Sequence, residues 1–118
     1  MKKIYLTLLL ALLSTLGVQA NEYATIDGIR YELDANTNEA TVTSNSPKYS
    51  GSITIPSTVT YNSKTYRVTT IDKYAFSNCS SLTSITIPNS VTTIGNKAFE
   101  YCSGLTSIKV ETGNSQYV

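Results

Sequence analysis

The sequence has no histidine and no tryptophan, and among its 118 residues there are only two cysteines and two phenylalanines. Without histidine, neither a Ser-His-acid triad nor a histidine metal site can be built. The eight acidic residues share no local motif, and the six glycines are isolated instead of forming a phosphate-binding loop. We therefore predict that the protein is not an enzyme and uses no cofactor and no metal.

Charge is also scarce, at 14% of residues. Two of the nine basic residues lie in the first twenty positions, which leaves seven basic and eight acidic residues, a net charge of −1, in the rest. A nucleic-acid partner requires a basic surface that displaces counterions, so this class is excluded. Ile4–Leu13 is the only long apolar run, and it is too short for a membrane-spanning helix.

That apolar run has the features of a secretory signal peptide. Lys2 and Lys3 precede it, and small residues at Val18 and Ala20 follow it. This order predicts a signal peptide over residues 1–20, cleaved after Ala20, with an uncleaved N-terminal anchor as the alternative. We expect a secreted or cell-surface protein with no membrane span after cleavage.

An internal repeat organises the remaining chain. Val68–Ile87 recurs as Val91–Val110 at an offset of 23 residues without a gap, and twelve of the twenty positions are identical. Most recurring positions of the first copy are apolar or small: Ile71, Ala75, Phe76, Cys79, Leu82, Ile85 and Ile87. One such turn cannot bury its apolar positions alone, whereas stacked turns form a continuous core, so the repeat predicts a solenoid.

Two local periods predict the structure of each repeat. Ser84–Pro88 alternates polar and apolar residues, which indicates a strand with Ile85 and Ile87 facing inward. Lys73–Cys79 and Asn96–Cys102 carry Ala and Cys four positions apart, which favours a short helical segment with one buried face. The expected fold class is a β-rich α/β solenoid.

The pattern Leu82-x-x-Ile85-x-Ile87-Pro88, continued by Val91-x-x-Ile94-Gly95-x-x-Ala98-Phe99-x-x-Cys102, resembles the BspA-type, or Treponema pallidum-type, leucine-rich repeat. The resemblance extends over roughly residues 52–110. It implies a bacterial surface protein that mediates adhesion by protein–protein interaction, with host extracellular-matrix or cell-surface proteins, or other bacteria, as partners. The alternative is a structural spacer or carbohydrate-contacting module of a larger surface protein.

The chain divides into three predicted parts: a signal peptide at 1–20, an N-terminal β cap at 21–50 and leucine-rich repeats at 51–118. The Asp27-Gly28 pair predicts a hairpin in the cap, and a third strand at 40–44 extends it to an antiparallel meander. In the repeats, Ser52–Pro56 recurs at an offset of 32 residues as Ser84–Pro88. The extra residues predict an inserted hairpin at 60–67 within an irregular first unit, before two 23-residue units.

The C-terminal end of the repeat stack has no recognisable cap. An open strand edge beside apolar residues promotes unwanted pairing, and the tail after Val110 looks like the opening of another unit. We therefore expect a truncated gene product that continues in further repeats.

Outward-facing strand positions are the candidates for recognition. They alternate with the buried Ile and Val residues and are expected to form parallel polar rows on the concave face: Ser52, Thr54, Ser84, Thr86, Ser107 and Lys109. The alternative interpretation is a solvated strand face that binds no ligand.

Cys79 and Cys102 occupy the same repeat position on adjacent turns. An oxidising compartment permits a disulfide between them. Cysteine also serves as a small buried apolar residue, and the resemblance implies one at this position on every turn. We favour stacked buried thiols and keep the disulfide as the alternative.

Overall fold

The computed structural model describes residues 19–114, and in this range the chain forms nine strands and no helix. The strands are β1 (Glu22–Ile26), β2 (Ile29–Asp34), β3 (Glu39–Val42), β4 (Gly51–Thr54), β5 (Thr58–Tyr61), β6 (Lys64–Ile71), β7 (Leu82–Ile87), β8 (Thr93–Ile94) and β9 (Ser107–Val110). The predicted signal sequence up to residue 18, and the last four residues of the predicted repeat region, lie outside the described residues.

The strands form two sheets. The larger sheet has the order β1-β2-β3-β6-β5, with β8 also pairing with β6, and the smaller one has the order β4-β7-β9. Within them, β3-β6-β8 and β4-β7-β9 are parallel ladders, so each turn of the chain adds one strand to each ladder. The stacked turns that the 23-residue repeat predicts are present, and the β-rich repeat fold is confirmed. Each turn carries two strands, whereas the sequence predicted one strand and a short helical segment.

The first hairpin forms at the Asp-Gly pair. Asp27 has a φ of 50° and Gly28 a φ of 84°. Two successive positive φ values are typical of a type I′ turn, whose twist matches that of the flanking strands. Strand β3 pairs antiparallel with β2 and parallel with β6, so the meander continues directly into the first repeat ladder.

A second hairpin joins β5 and β6 across Asn62 and Ser63, which have φ values of 50° and 63°. It lies in the region where the extra residues of the irregular unit predicted an insertion. Strand β6 is long enough to pair with β5 at its start and with β8 at Thr70 and Ile71.

The predicted helical segments at 73–79 and 96–102 are not formed, and both regions are successive turns. In the first, alternate N–H groups donate three residues back, for example from Ala75 to Asp72 at 3.2 Å. The intervening N–H groups donate to the next repeat, as from Phe76 to Ala98 at 2.8 Å.

Residues with a left-handed backbone conformation are the second difference from a helix. Tyr74 and Asn78 both have a φ of 60°, and Lys97 and Tyr101 repeat this at 57° and 59°. A helix requires negative φ throughout and sends every N–H to the residue four positions back. The four-residue spacing of Ala and Cys therefore identified the correct buried positions, Ala75 and Cys79, but the wrong backbone.

The core lies between the two ladders and is built from columns of equivalent residues. Phe76 is fully buried, and its ring stacks on Phe99 at a centroid distance of 5.3 Å with an interplanar angle of 10°. On its other side, the Tyr49 ring lies 4.7 Å away and is tilted by 39°. This aromatic column runs through three successive layers, which ties the cap-proximal end of the stack to the last described turn.

Gly95 allows two turns to approach closely. A Cβ atom added there would collide with the backbone of Asp72 and Lys73. The N–H of Gly95 donates to the carbonyl of Ile71 at 2.7 Å, so the two backbones are held in contact. Glycine is therefore required at this position because the two backbones approach closely, and not because of an unusual φ.

Candidate binding surface

The parallel ladder β4-β7-β9 brings together all six residues that the sequence analysis named. One row consists of the register partners Ser52, Ser84 and Ser107. The next row consists of the register partners Thr54, Thr86 and Lys109. Because neighbouring strands lie about 4.8 Å apart, each row is about 10 Å wide. Their role in binding stays a prediction.

The rows present hydroxyl groups and one charge. The two half-buried members are Ser84 and Thr86, on the central strand, and the four on the outer strands are exposed. The Ser52 and Ser84 hydroxyls are hydrogen-bonded to each other at 2.7 Å. Lys109 is the only charged side chain among the six. Such a surface can donate and accept hydrogen bonds with a polar partner but carries no acid–base pair.

A cleft of about 420 Å³ adjoins these rows at Thr54. It lies between the first hairpin and the start of the inserted hairpin, and its lining residues are Ile26, Asp27, Ile29, Tyr31, Thr54, Pro56, Thr58, Val59 and Thr60. The lining therefore combines aliphatic surface with hydroxyl groups and one carboxylate.

Tyr31 is the most unusual group in this cleft. The side chain is fully buried, and its hydroxyl has no hydrogen-bond partner among the described residues. Burial raises the pKa of Tyr31 well above its usual range, and the nearby Tyr49 and Asp27 raise it further. Like an ordinary tyrosine it is neutral at physiological pH, and its buried hydroxyl leaves a hydrogen-bond donor without a partner at the wall of the cleft.

Sequence reasoning missed the cleft. Tyr31 lies on an alternating strand and has the pattern of an ordinary core residue, and Asp27 has that of an ordinary turn residue. Strands β2 and β5 are far apart in sequence and meet only through the curled sheet. No local sequence signal predicts that their side chains share a cavity.

Both cysteines are free thiols, and Cys79 is buried whereas Cys102 is half-buried. Burial raises the pKa of each thiol above its usual value. Cys102 Sγ lies 2.9 Å from the carbonyl oxygen of Phe76, to which it donates. These features agree with packed, protonated thiols, the interpretation favoured from the sequence, and not with a reactive cysteine.

Over residues 19–114, no group of three His, Cys, Asp or Glu side chains is arranged to hold a metal ion. Within the same range, no helix has the length and apolarity needed to cross a membrane.

One recurring sequence unit generates the two parallel ladders, which makes the chain a repeat solenoid. Proteins of this class present extended surfaces built from successive repeats. The family model described as "BspA type Leucine rich repeat region (6 copies)" matches residues 44–117. The chain belongs to this family.

Solved structures with the same fold come from several bacteria. A leucine rich cell surface protein from Faecalibacterium prausnitzii is 32% identical, with a TM-score of 0.66 over 80% of this chain and 25% of that protein. A leucine-rich repeat protein from Bacteroides capillosus is also 32% identical, with a TM-score of 0.66 over 75% of this chain and 65% of that one. The Treponema pallidum leucine rich repeat protein is 25% identical, with a TM-score of 0.61 over 78% and 41% of the two chains.

The chain thus spans about a quarter of the length of the Faecalibacterium prausnitzii protein and just under two thirds of the Bacteroides capillosus protein. Among curated proteins, none matches this chain.

Proposed function

We propose that this chain is an exported, non-catalytic scaffold that binds a protein partner at the bacterial cell surface through the concave face of β4-β7-β9. The observation that carries the proposal is the register of this ladder, which aligns six outward polar side chains from three turns in two rows. Membership in a family of repeat proteins, and the likeness to a protein described as a cell surface protein, support it.

The surface chemistry favours an extended, polar segment as the bound element. Hydroxyl groups from neighbouring strands can pair with the N–H and C=O groups of a polypeptide, and Lys109 adds a preference for an acidic side chain at one end of a row. Host extracellular-matrix proteins, host cell-surface proteins and the surfaces of other bacteria are the partners that the resemblance implies. Export rests on the predicted signal peptide at 1–20, with cleavage after Ala20.

The test is binding of the chain over residues 21–118 to immobilised fibronectin, fibrinogen and collagen. Thr86→Lys places a long charged side chain in the middle of the rows. Ser103→Lys makes a matched change at an exposed turn residue away from the ladder. We expect Thr86→Lys to weaken binding about tenfold, or 1.4 kcal/mol, with Ser103→Lys close to wild type. Equal binding by the two variants, or no binding by the wild type, would overturn the proposal.

A carbohydrate-contacting role is the second candidate, and the cleft beside Thr54 favours it. The Tyr31 hydroxyl at the wall of the cleft has no hydrogen-bond partner, the Asp27 carboxylate can accept hydrogen bonds, and Pro56 and Val59 provide apolar surface. A sugar ring offers hydroxyl groups that both donate and accept, together with an apolar C–H face.

Retention on a panel of neutral glycans distinguishes the two candidates. Tyr31→Phe removes only the hydroxyl, and Asp27→Asn keeps a residue that tolerates positive φ in the turn. We expect both variants to lose glycan retention if the cleft is the site. Glycan binding that survives both changes rules out the cleft, and matrix binding lost with Thr86→Lys alone supports the protein-binding role.

A further inference from the structure

A cavity of about 540 Å³ lies on the N-terminal cap, and its lining residues are Arg30, Ser44, Asn45, Ser46 and Lys48. Its volume is within the range of about 300–1,000 Å³ that is typical of small-molecule sites. The lining consists of two cations and three neutral polar side chains, and it includes no carboxylate. None of these residues belongs to the polar rows or to the cleft beside Thr54.

The cavity forms where the chain leaves the antiparallel meander. Thr43 donates its N–H to the carbonyl of Arg30 at 2.9 Å, so the segment 44–48, which leads from β3 toward β4, begins directly beside Arg30 on β2. Arg30 alternates with the buried Ile29 and Tyr31. Because successive side chains of a strand point to opposite faces, Arg30 lies on the other face of β2 from Tyr31. The cavity is therefore separate from the cleft that Tyr31 lines.

Contacts with three residues fix Arg30 in place. Its guanidinium lies over the Tyr23 ring, 4.4 Å from the centroid, and its Nη1 donates to Thr43 Oγ1 at 3.2 Å. Its backbone N–H donates to the hydroxyl of Tyr49 at 3.0 Å, and Tyr49 belongs to the buried aromatic column. A guanidinium has five N–H donors in one plane, so one stacked face and one hydrogen bond leave most of the donors available at its edge. Arg30 is therefore a preorganised donor and not a mobile surface cation.

Lys48 supplies the second positive charge from the far end of the same segment. Its Nζ donates to the carbonyl of Ser77 at 3.2 Å, which uses one of its three donors. Within residues 19–114, neither Arg30 nor Lys48 has a carboxylate partner. The chain after residue 20 has a net charge of −1, so the positive charge of this cavity is local and is not a property of the whole surface.

The lining groups match an anion that is attached to a polar molecule. A fixed guanidinium binds a planar or tetrahedral oxyanion through two parallel hydrogen bonds, and an ammonium group adds a second positive charge. The serine hydroxyls and the Asn45 amide can both donate and accept, as the hydroxyl groups of a sugar also can. A single small anion would fill only part of a cavity of about 540 Å³, so there is room for a ring beside the anionic group.

We propose that this cavity binds an anionic sugar. Its two cations contact the phosphate, sulfate or carboxylate group, and its three neutral polar side chains contact the ring hydroxyls. The site gives the scaffold a second ligand besides the protein partner proposed for the concave face. The two sites share no residue, so the failure of one proposal leaves the other standing.

The test is an NMR titration of the isotope-labelled chain over residues 21–118 with glucose 6-phosphate, glucose 6-sulfate and glucuronate, and with glucose as the neutral counterpart. Amide shifts report affinity and location together, and we expect them at Arg30 and at residues 44–48. The phosphate ester is expected to bind most tightly because it carries up to two charges at neutral pH, and the order among the three identifies the anionic group. Glucose is expected to bind there at least about tenfold more weakly. The absence of shifts at these residues, or equally tight binding of glucose there, would overturn the proposal.

Removal of each cation tests its part in binding. Arg30→Gln is expected to weaken the binding of glucose 6-phosphate about tenfold, and Lys48→Gln about fivefold. Arg67→Gln and Lys73→Gln make the same changes at exposed positions that do not line the cavity, and both are expected to bind like wild type. Affinities that are equal for the cavity variants and their controls would contradict the site.

An added negative charge tests the site without removing a contact of Arg30 or Lys48. Ser44 is exposed and contributes only its backbone carbonyl to the contacts around Thr43, so Ser44→Asp is expected to preserve the fold and to weaken binding about tenfold by repulsion. Ser63→Asp makes the same change at the tip of the β5–β6 hairpin, where aspartate tolerates the positive φ, and is expected to have no effect. Circular dichroism spectra verify that the variants fold. A folded Ser44→Asp variant with unchanged affinity for glucose 6-phosphate would overturn the proposal.

Discussion

The inner turn, Val68–Ile87, and the outer turn, Val91–Val110, share twelve of twenty residues, but their side chains lie in different environments. Phe76 is fully buried between Tyr49 and Phe99, whereas Phe99 has an aromatic neighbour on one side only among residues 19–114. Ile85 is buried and Ile108 is half exposed. Equal sequence therefore gives equal backbone and register, while the energetic value of each residue depends on the turn stacked beyond it.

The aromatic column gives the largest expected difference between the two turns. Truncation of a fully buried phenylalanine removes both its transfer free energy and its packing, so Phe76→Ala is expected to cost about 3–5 kcal/mol. Phe99→Ala leaves a cavity that opens to solvent and is expected to cost less than about half of that. Urea denaturation of both variants measures the free energies of unfolding. Equal losses would show that the outer turn is as well packed as the inner one.

Gly95 and Asp72 occupy the same repeat position and allow a second test. Gly95→Ala forces a Cβ against the Lys73 backbone and is expected to destabilise the protein by about 1–3 kcal/mol. Asp72 already has a Cβ at this position of the inner turn and accepts a hydrogen bond from the Lys73 N–H at 2.9 Å.

Asp72→Ala loses that bond, which is a local, solvent-accessible interaction, and is expected to cost below about 1 kcal/mol. Thermal unfolding compares the two variants. If Gly95→Ala is no worse than Asp72→Ala, the two turns are not in backbone contact there.

Removing one methyl group from each of the register partners Ile85 and Ile108 is expected to give a smaller difference in stability cost. Ile85→Val is expected to cost about 1 kcal/mol because Ile85 is buried. Ile108→Val is expected to cost below about 0.5 kcal/mol, since half of that side chain already contacts water. Denaturant titrations measure both values. Equal costs at the two positions would contradict the difference in burial.

The two thiols give the smallest expected difference between the turns, which is a difference in the rate of alkylation. Cys102 is half-buried and Cys79 is buried, so Cys102 is expected to react first with an alkylating reagent. Burial raises both pKa values, so the thiolate fraction at neutral pH is below that of free cysteine and increases as the pH rises. Mass spectrometry after timed alkylation at pH 7 and pH 9 measures both rates. Faster labelling of Cys79 would contradict the stacking order.

The buried columns, the strands and the first hairpin could be predicted from the sequence, because recurrence, alternation and turn residues are local side-chain patterns. The 23-residue offset identified the buried columns, and the alternation over Ser84–Pro88 predicted a strand that the structure has at Leu82–Ile87. Alternation also identified the outward rows, which β4-β7-β9 aligns. The Asp27-Gly28 pair located the first hairpin, since its residues tolerate positive φ.

The turn segments and the cleft could not be predicted, because their cause is not local. Ala75 and Cys79 have the spacing of a helix, but the N–H groups between them donate to a neighbouring turn. Whether an N–H bonds within its own segment or across to another depends on how closely the turns stack. The cleft has the same origin, since it joins Tyr31 to Thr58 through a curled sheet.

By itself, the sequence determined a repeat fold, the identity of its core columns and the polar rows of one ladder. Each follows from side-chain patterns that act within a few residues or recur at one offset. Only the tertiary structure decided the turn conformation between strands, the cleft beneath the first hairpin and the unequal burial of identical residues. Those features depend on which surface lies against each turn, and burial free energy is a property of that contact and not of the residue alone.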